Sequence, residues 1–290
     1  MMQTNDVIVN FTPTGLLPTR EQSPFVPLSP SEIIDDVLAA VEIGITSVHL
    51  HVRDPQTGLP DYRAELYGEV IDGIRRYAPE LVVVVSLSGR IDNRFEHRSI
   101  PLTLTGAQKA DMGSLTLSSL NFNHSASLNG PETIIRLAEL MREKGIKPEL
   151  EAFDSGMINY AKYLIRKGIL TPPHYFNLIF GNIAGAQANL LSAGLMLSEL
   201  PPESLWTMGG VGDFQFQMNM TALLFGGGVR IGLEDNLYLN PDRKKLASNP
   251  DLLKRIHRAI RMCGRNVMPS SQMRKLLGLE DGHGRYGIRQ

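Results

Sequence analysis

Short apolar, β-branched runs alternate with segments whose apolar residues recur every three or four positions, and the alternation repeats about eight times along the chain. Asp6–Phe11 reads as the first strand, followed by a proline-rich loop to Pro30. Ser29 or Ser31, with Pro30 and Glu32, starts a helix that Gly44 ends. Ile45–Val52 is the next strand, and Ala64–Tyr77 is an amphipathic helix with Pro79 just beyond it. Leu81–Leu87 is an apolar run, as expected of a parallel strand buried on both faces. The fourth unit is less regular: Leu102–Ala110 reads as helix and Met112–Leu117 as a short strand. Pro131 and Gly145 frame a helix over Glu132–Lys144, then Lys147–Phe153 is a strand and Gly156–Lys167 a helix. His174–Phe180, Ala186–Leu200, Leu205–Met208, Phe214–Phe225 and Val229–Leu233 complete the series, and Leu252–Met262 is a further helix.

Strands alternating with helices of this length imply βαβ units and a parallel sheet. Eight repeats favour a closed (β/α)8 TIM barrel over an open doubly wound sheet, an α/β fold with residues 240–290 as a C-terminal extension. No low-complexity linker divides the chain, so residues 1–290 are expected to form a single domain.

Composition narrows the possibilities without naming a chemistry. The 290 residues are 42% hydrophobic and 20% charged, with 29 basic and 30 acidic side chains. A neutral chain without a basic block lacks the electrostatic footprint of a nucleic-acid binder. Its apolar runs fall far short of the ~20 residues that a membrane-spanning helix needs. The first residues carry neither the basic nor the apolar region of a signal peptide, so a cytoplasmic location is expected. Cys263 is the only cysteine, which excludes an internal disulfide and any multi-cysteine metal site.

Chemistry enters by position. His49 and His51 lie two apart on a strand and so share a face, at the C-terminal end where barrel enzymes build their sites. Such a pair is a natural source of two nitrogen ligands for Zn²⁺ or another divalent metal, and equally a core or surface pair. Arg230, Gly232 and Glu234 share parity in the eighth strand, which neighbours the first in a closed barrel. Glu234 can then approach the histidines, giving a two-histidine, one-carboxylate set with open positions. Asp235 could orient a ligand histidine or act as a base; the bland alternative is a helix cap and an ion pair with Arg230.

In the fifth strand Glu149 and Glu151 share a face. Glu151 lies nearer the catalytic end, whereas an outward, helix-facing place near the strand's start suits Glu149. Ser86, Ser88 and Arg90, where the third strand opens into its loop, could hold a substrate carboxylate. Arg53 and Asp54 are either support for the histidines or a loop ion pair. Gly209–Gly212 is a weak candidate for phosphate binding at a helix start, and Gly226–Gly228 reads as a turn. His124 could reach the site; His97, His174, His257 and His283 are expected to be structural or exposed.

N-x-x-P-T-G from Asn10 to Gly15, VHLHVRD at 48–54, KPELEAFD at 147–154 and GGVRIGLEDN at 227–236 together resemble the β-keto acid cleavage enzymes, which include 3-keto-5-aminohexanoate cleavage enzyme. The resemblance implies a zinc-bearing barrel, a homotetramer, and conversion of a β-keto acid and acetyl-CoA into acetoacetate and a new acyl-CoA. It implies His49, His51 and Glu234 as zinc ligands, with Arg230 and Asp235 as the polar pair beside the metal. Glu151, or alternatively Glu149, matches the strand-five carboxylate. Ser86 or Ser88 matches the strand-three serine, and Thr14 and Gly15 the substrate-binding turn. Zinc would act as a Lewis acid while Asp235 or Glu151 takes the C2 proton. One departure bears on substrate: aminohexanoate-cleaving members carry an acidic residue after the first T-G, where this chain has Leu17. An ammonium-bearing substrate loses its partner there. The rival readings are a zinc-dependent hydrolase, a CoA-independent C–C lyase and a non-catalytic metal-binding protein.

Overall fold

The computed structural model describes residues 5–289. Eight parallel strands close into a barrel: β1 (Val9–Phe11), β2 (Ser47–Leu50), β3 (Val82–Val85), β4 (Met112–Thr116), β5 (Lys147–Ala152), β6 (His174–Phe180), β7 (Ser204–Gly210) and β8 (Gly228–Ile231). Closure is the β8–β1 pairing, which sets Arg230 beside Asn10 and Ile231 beside Phe11. The predicted first strand is split, because Asp6–Val7 pairs instead with Asn266–Val267 below the barrel.

The helices follow local signals. In α1 (Pro30–Ile43), Ser29 and Glu32 form a reciprocal capping box, and Pro30 occupies the first turn, where its missing N–H costs nothing. Helix α2 (Ala64–Arg75) turns Leu66, Val70, Ile71 and Ile74 to the core. Next come α3 (Pro131–Lys144), ended by left-handed Gly145, and α4 (Ser155–Arg166), where Asp154 accepts from the Met157 N–H. Helices α5 (Leu190–Glu199) and α6 (Phe214–Leu224) follow β6 and β7. Leu102–Ala110 is not the helix expected from its pattern: the segment makes two short 3₁₀ turns, Ile100–Thr103 and Gly106–Gln108. Gly106 adopts φ +58°, outside the helical region, and Pro101 favours a fresh start rather than continuation.

Two apolar clusters organise the interior. Val83 and Val85 join the larger one between strands and helices, while Val82 and Val84 belong to a second with Ile8, Met112, Tyr175 and Leu205. Burial on both sides explains the unbroken apolar sequence of β3. The C-terminal residues add α7 (Asn249–Met262) and α8 (Ser270–Leu277), and α8 contributes Met273 and Leu277 to the second cluster. A buried ionic knot ties this segment down: Arg274 reaches both carboxylate oxygens of Asp111 at 2.8 Å, and Arg75 reaches the same group at 3.1 Å. Among the described residues no helix is long and apolar enough to cross a membrane.

Candidate active site

Polar side chains gather at the C-terminal ends of the strands. His49 ends up fully enclosed and His51, just past β2, nearly so. Their Nε2 atoms stand 3.3 Å apart, and His51 Nε2 lies 3.3 Å from Glu234 Oε1. Tetrahedral zinc at about 2.0–2.1 Å from each ligand separates ligand atoms by roughly 3.3–3.4 Å. The observed spacings match the edges of that tetrahedron. Glu234 Oε2 is buried and accepts no hydrogen bond among the described residues, an expensive state for a carboxylate unless a cation meets it. On this evidence His49, His51 and Glu234 could hold a divalent metal.

Glu149 is not helix-facing. It lies wholly buried within the barrel, where its Oε2 meets His49 Nδ1 at 2.6 Å and its Oε1 accepts from Asn10 Nδ2 at 2.9 Å. Asn177 Nδ2 approaches the same Oε1 at 3.3 Å, and Ser47 and Thr207 hydroxyls hold Asn10 and Asn177 in turn. A proton kept on His49 Nδ1 leaves Nε2 bare for a ligand, so Glu149 orients this imidazole as carboxylates beside metal-bound histidines do. Burial opposes charging His49, but Glu149 and Glu234 outweigh it and raise the pKa to about 9. The field thus favours positive charge at His49, which a dication would also satisfy. His51 shifts the other way, its pKa lowered mainly by burial.

Arg230 binds the second half of the site together. Its Nη2 donates to Glu234 Oε1 at 2.7 Å and its Nε to Asp235 Oδ2 at 2.8 Å. Asp235 therefore pairs with Arg230 rather than orienting a histidine. Glu151 accepts from the Thr116 hydroxyl at 2.7 Å and lies 3.8 Å from Arg230 Nη1. Burial raises the pKa of both Glu151 and Asp235, the Arg230 charge opposing it in each. Burial also acts on Glu234, but there Arg230 and the histidines prevail and hold it well below the usual carboxylate range.

These groups open into a cavity of about 270 Å³. Both Ser86 and Ser88 line it, linked by a 3.3 Å bond from the Ser88 N–H to the Ser86 hydroxyl. His124 also reaches the wall, while Leu16 and Leu17 form the part contributed by the β1 loop. Thr14 and Gly15 stand behind them. Thr14 is fully buried, and a Cβ on Gly15, which adopts φ +67°, would come within 2.5 Å of Glu234 Cγ. Gly15 makes room for the carboxylate.

Other expectations resolve into structural duties. Arg53 binds the carbonyls of Gly15 and Pro18 and so fastens the β1 loop, while Asp54 pairs with Arg63 at 2.6 Å; the two are not partners. Gly209 and Gly210 belong to β7 itself, and the turn beyond it is no free anion nest: the Val211 and Gly212 N–H groups donate to the Phe180 and Asp235 carbonyls. His97 meets Asp92, His257 the Gly44 carbonyl and His283 Glu80, and His174 packs edge-on against Phe176. Sequence reasoning passed over Asn10, Thr116 and Asn177. Asn10 lay within a motif already singled out, and all three are polar residues in otherwise apolar strands.

This constellation, buried carboxylates beside a cluster able to hold a metal at the C-terminal mouth of a closed barrel, has the make-up of an enzyme site. The chain belongs to the beta-keto acid cleavage enzyme family, whose profile matches residues 6–279, and it is an acyl-transferring enzyme that cleaves C–C bonds. It is 33% identical over 276 residues to the 3-keto-5-aminohexanoate cleavage enzyme of Fusobacterium nucleatum, covering 94% of this chain and 98% of that one. It is 35% identical over 281 residues to the 3-oxoadipate:acetyl-CoA acetyltransferase of Cupriavidus necator, covering 95% and 96%. The fold is also similar to that of ObcA solved as a ternary complex with a C4-CoA adduct and oxalate. The TM-score is 0.77 at 19% identity, with 89% of this chain and 68% of that one aligned.

Proposed function

We propose that the protein is a zinc-dependent β-keto acid cleavage enzyme that takes a β-keto acid and acetyl-CoA and returns acetoacetate and a new acyl-CoA. The observation that carries this reading is the cluster in which His51 lies 3.3 Å from both His49 and Glu234, all three ligand atoms within 4.8 Å of one another, in a cavity that also holds Arg230, Asp235 and Glu151. A zinc ion there would serve as a Lewis acid toward the keto oxygen and make the C2 protons more acidic.

The chain's own residues do the rest. Asp235 follows Glu234 directly and one guanidinium holds both carboxylates, which supports Asp235 as the base for C2. Arg230 stabilises the negative charge that builds up on the substrate once the proton leaves. Glu151, held by Thr116, faces the cavity from β5 and takes or returns protons as the acyl group changes partners. Ser86 and Ser88 hold the carboxylate adjoining C2. Leu16 and Leu17 give the β1 wall no charge, which disfavours an ammonium-bearing acid.

The test is a coupled acetyl-CoA assay over β-keto acids of different terminal charge, with deuterium exchange at C2 followed in parallel. Thioester-dependent formation of acetoacetate is expected, with zinc retained on purification. Cleavage that needs no acetyl-CoA would transfer the reading to a hydrolase or lyase, and bound zinc without exchange to a binding protein. Asp235→Asn should abolish exchange more completely than Glu151→Gln; the reverse order would exchange their roles.

We also propose a cytoplasmic homotetramer. Leu190, Leu191 and Leu195 of α5 are 67%, 84% and 50% exposed, an apolar helix face that assembly would cover. Sedimentation of the wild type beside Leu191→Glu checks it.

A further inference from the structure

Arg90 shares the cavity with the histidine–glutamate cluster but has no carboxylate of its own. Its Nε donates to the Ser125 hydroxyl at 3.0 Å, and its guanidinium stacks 3.8 Å from the centre of the Phe122 ring. Neither Nη makes a hydrogen bond among the described residues. Burial alone lowers its pKa, with no neighbouring anion to compensate.

The group is held in place. The Arg90 N–H donates to the Ser88 hydroxyl, and Gly89 O accepts from the Leu128 N–H at 3.2 Å. Buried Arg98 ties Leu87 O to Asn129 Oδ1 at 2.7 Å each, joining the β3 loop to the hairpin that carries Phe122 and Ser125. A Cβ on Gly89 would come within 2.4 Å of Leu128 O, so the two loops pack backbone to backbone. A fixed, half-buried guanidinium with two unused nitrogens is matched to a carboxylate, which it engages as a planar fork.

We propose that Arg90 receives a second, distal carboxylate of the β-keto acid, so that the preferred substrates are β-keto dicarboxylic acids. The inference rests on the reading of this cavity as the β-keto acid site. The carboxylate next to C2 must stay near the metal cluster, where Ser86 stands at the end of β3; Arg90 lies four residues further along the loop. The phosphates of CoA are separated from its thiol by a long two-amide arm. That arm carries them away from the reacting atoms at the metal cluster, and the comparison of acetyl-CoA with acetyl-pantetheine tells the two anions apart.

The experiment compares 3-oxoadipate with 3-oxohexanoate, equal in chain length, in the metal-loaded wild type and in Arg90→Gln. A charge-assisted pair predicts a wild-type preference in kcat/KM of about 10–100-fold for the dicarboxylate, falling toward unity in Arg90→Gln and partly kept in Arg90→Lys. An unchanged ratio overturns the proposal. So does an equal loss on both acids, which assigns Arg90 to the shared carboxylate. A raised KM for acetyl-CoA but not for acetyl-pantetheine also overturns it, assigning Arg90 to the phosphates. Calorimetry with adipate and hexanoate reads the same preference without turnover: tighter adipate binding lost in Arg90→Gln supports it, and equal binding defeats it. Failure of every β-keto acid to react would instead defeat the function proposed above, with calorimetry still deciding the role of Arg90.

Discussion

Glu149→Gln isolates the orientation of His49 from the volume and shape of its partner. The native carboxylate accepts on both sides, from His49 Nδ1 at 2.6 Å and from Asn10 and Asn177 at 2.9 and 3.3 Å. An amide has one accepting end and one donating end. With its NH2 toward the asparagines it faces two donors; with its NH2 toward His49 it drives the ring proton to Nε2, where the metal should bind. A short charge-assisted bond of this kind is worth about 1.5–3 kcal/mol, which corresponds to roughly 10–100-fold in affinity. Loss of a partner behind a metal-bound histidine has the same 10–100-fold scale. Zinc affinity, measured by competition with a chromogenic chelator, should fall by that factor, and the metal-free protein should melt at a lower temperature as well, because buried His49 loses its charged partner. A Glu149→Gln protein that folds normally and binds zinc within twofold of wild type would refute the role of Glu149 and weaken the assignment of His49.

Other perturbations act on separate parts of the molecule. Gly15→Ala places a side chain against Glu234 in a left-handed backbone, so it should reduce zinc content and lower the melting temperature together; normal metal loading would show that the loop yields. Arg274→Met takes from the buried Asp111 carboxylate its bidentate partner and leaves Arg75 as the remaining ion pair, at a cost of about 3–5 kcal/mol in denaturant unfolding. Burial raises Asp36 to about 6, with the Asn249 amide opposing that rise. Its folded form therefore holds the proton longer than the unfolded chain, and its contribution to stability falls as pH rises from about 4 to 6. Asp36→Asn should remove that loss and be the more stable protein at pH 7, with melting curves across this range as the check. Leu17→Glu restores an acidic group to the cavity wall and should shift relative kcat/KM toward ammonium-bearing β-keto acids.

The contrast between Glu149 and Glu151 shows how much of this site the amino-acid order discloses. Strand parity puts both carboxylates on one face, and it equally puts His49 with His51 and Arg230 with Glu234. Depth along the barrel axis is a different matter, because it depends on the stagger with which neighbouring strands pair. In the folded protein Glu149 lies beside Ser114 and Tyr175, one step below Glu151, which pairs with Thr116 and Asn177. That step places Glu149 behind His49 and leaves Glu151 on the cavity wall, a distinction no local pattern encodes. The same limit explains the β7 glycines. Their composition suits an anion, but Gly212 N–H is spent on Asp235 O, a contact between neighbouring loops formed only once the barrel closes. Arg90 is the converse case: its charge was plain, while its meaning came from what the fold withholds from it, a carboxylate. A residue's chemistry is readable in order; whether its partner comes from the chain or from the substrate is settled by closure of the barrel.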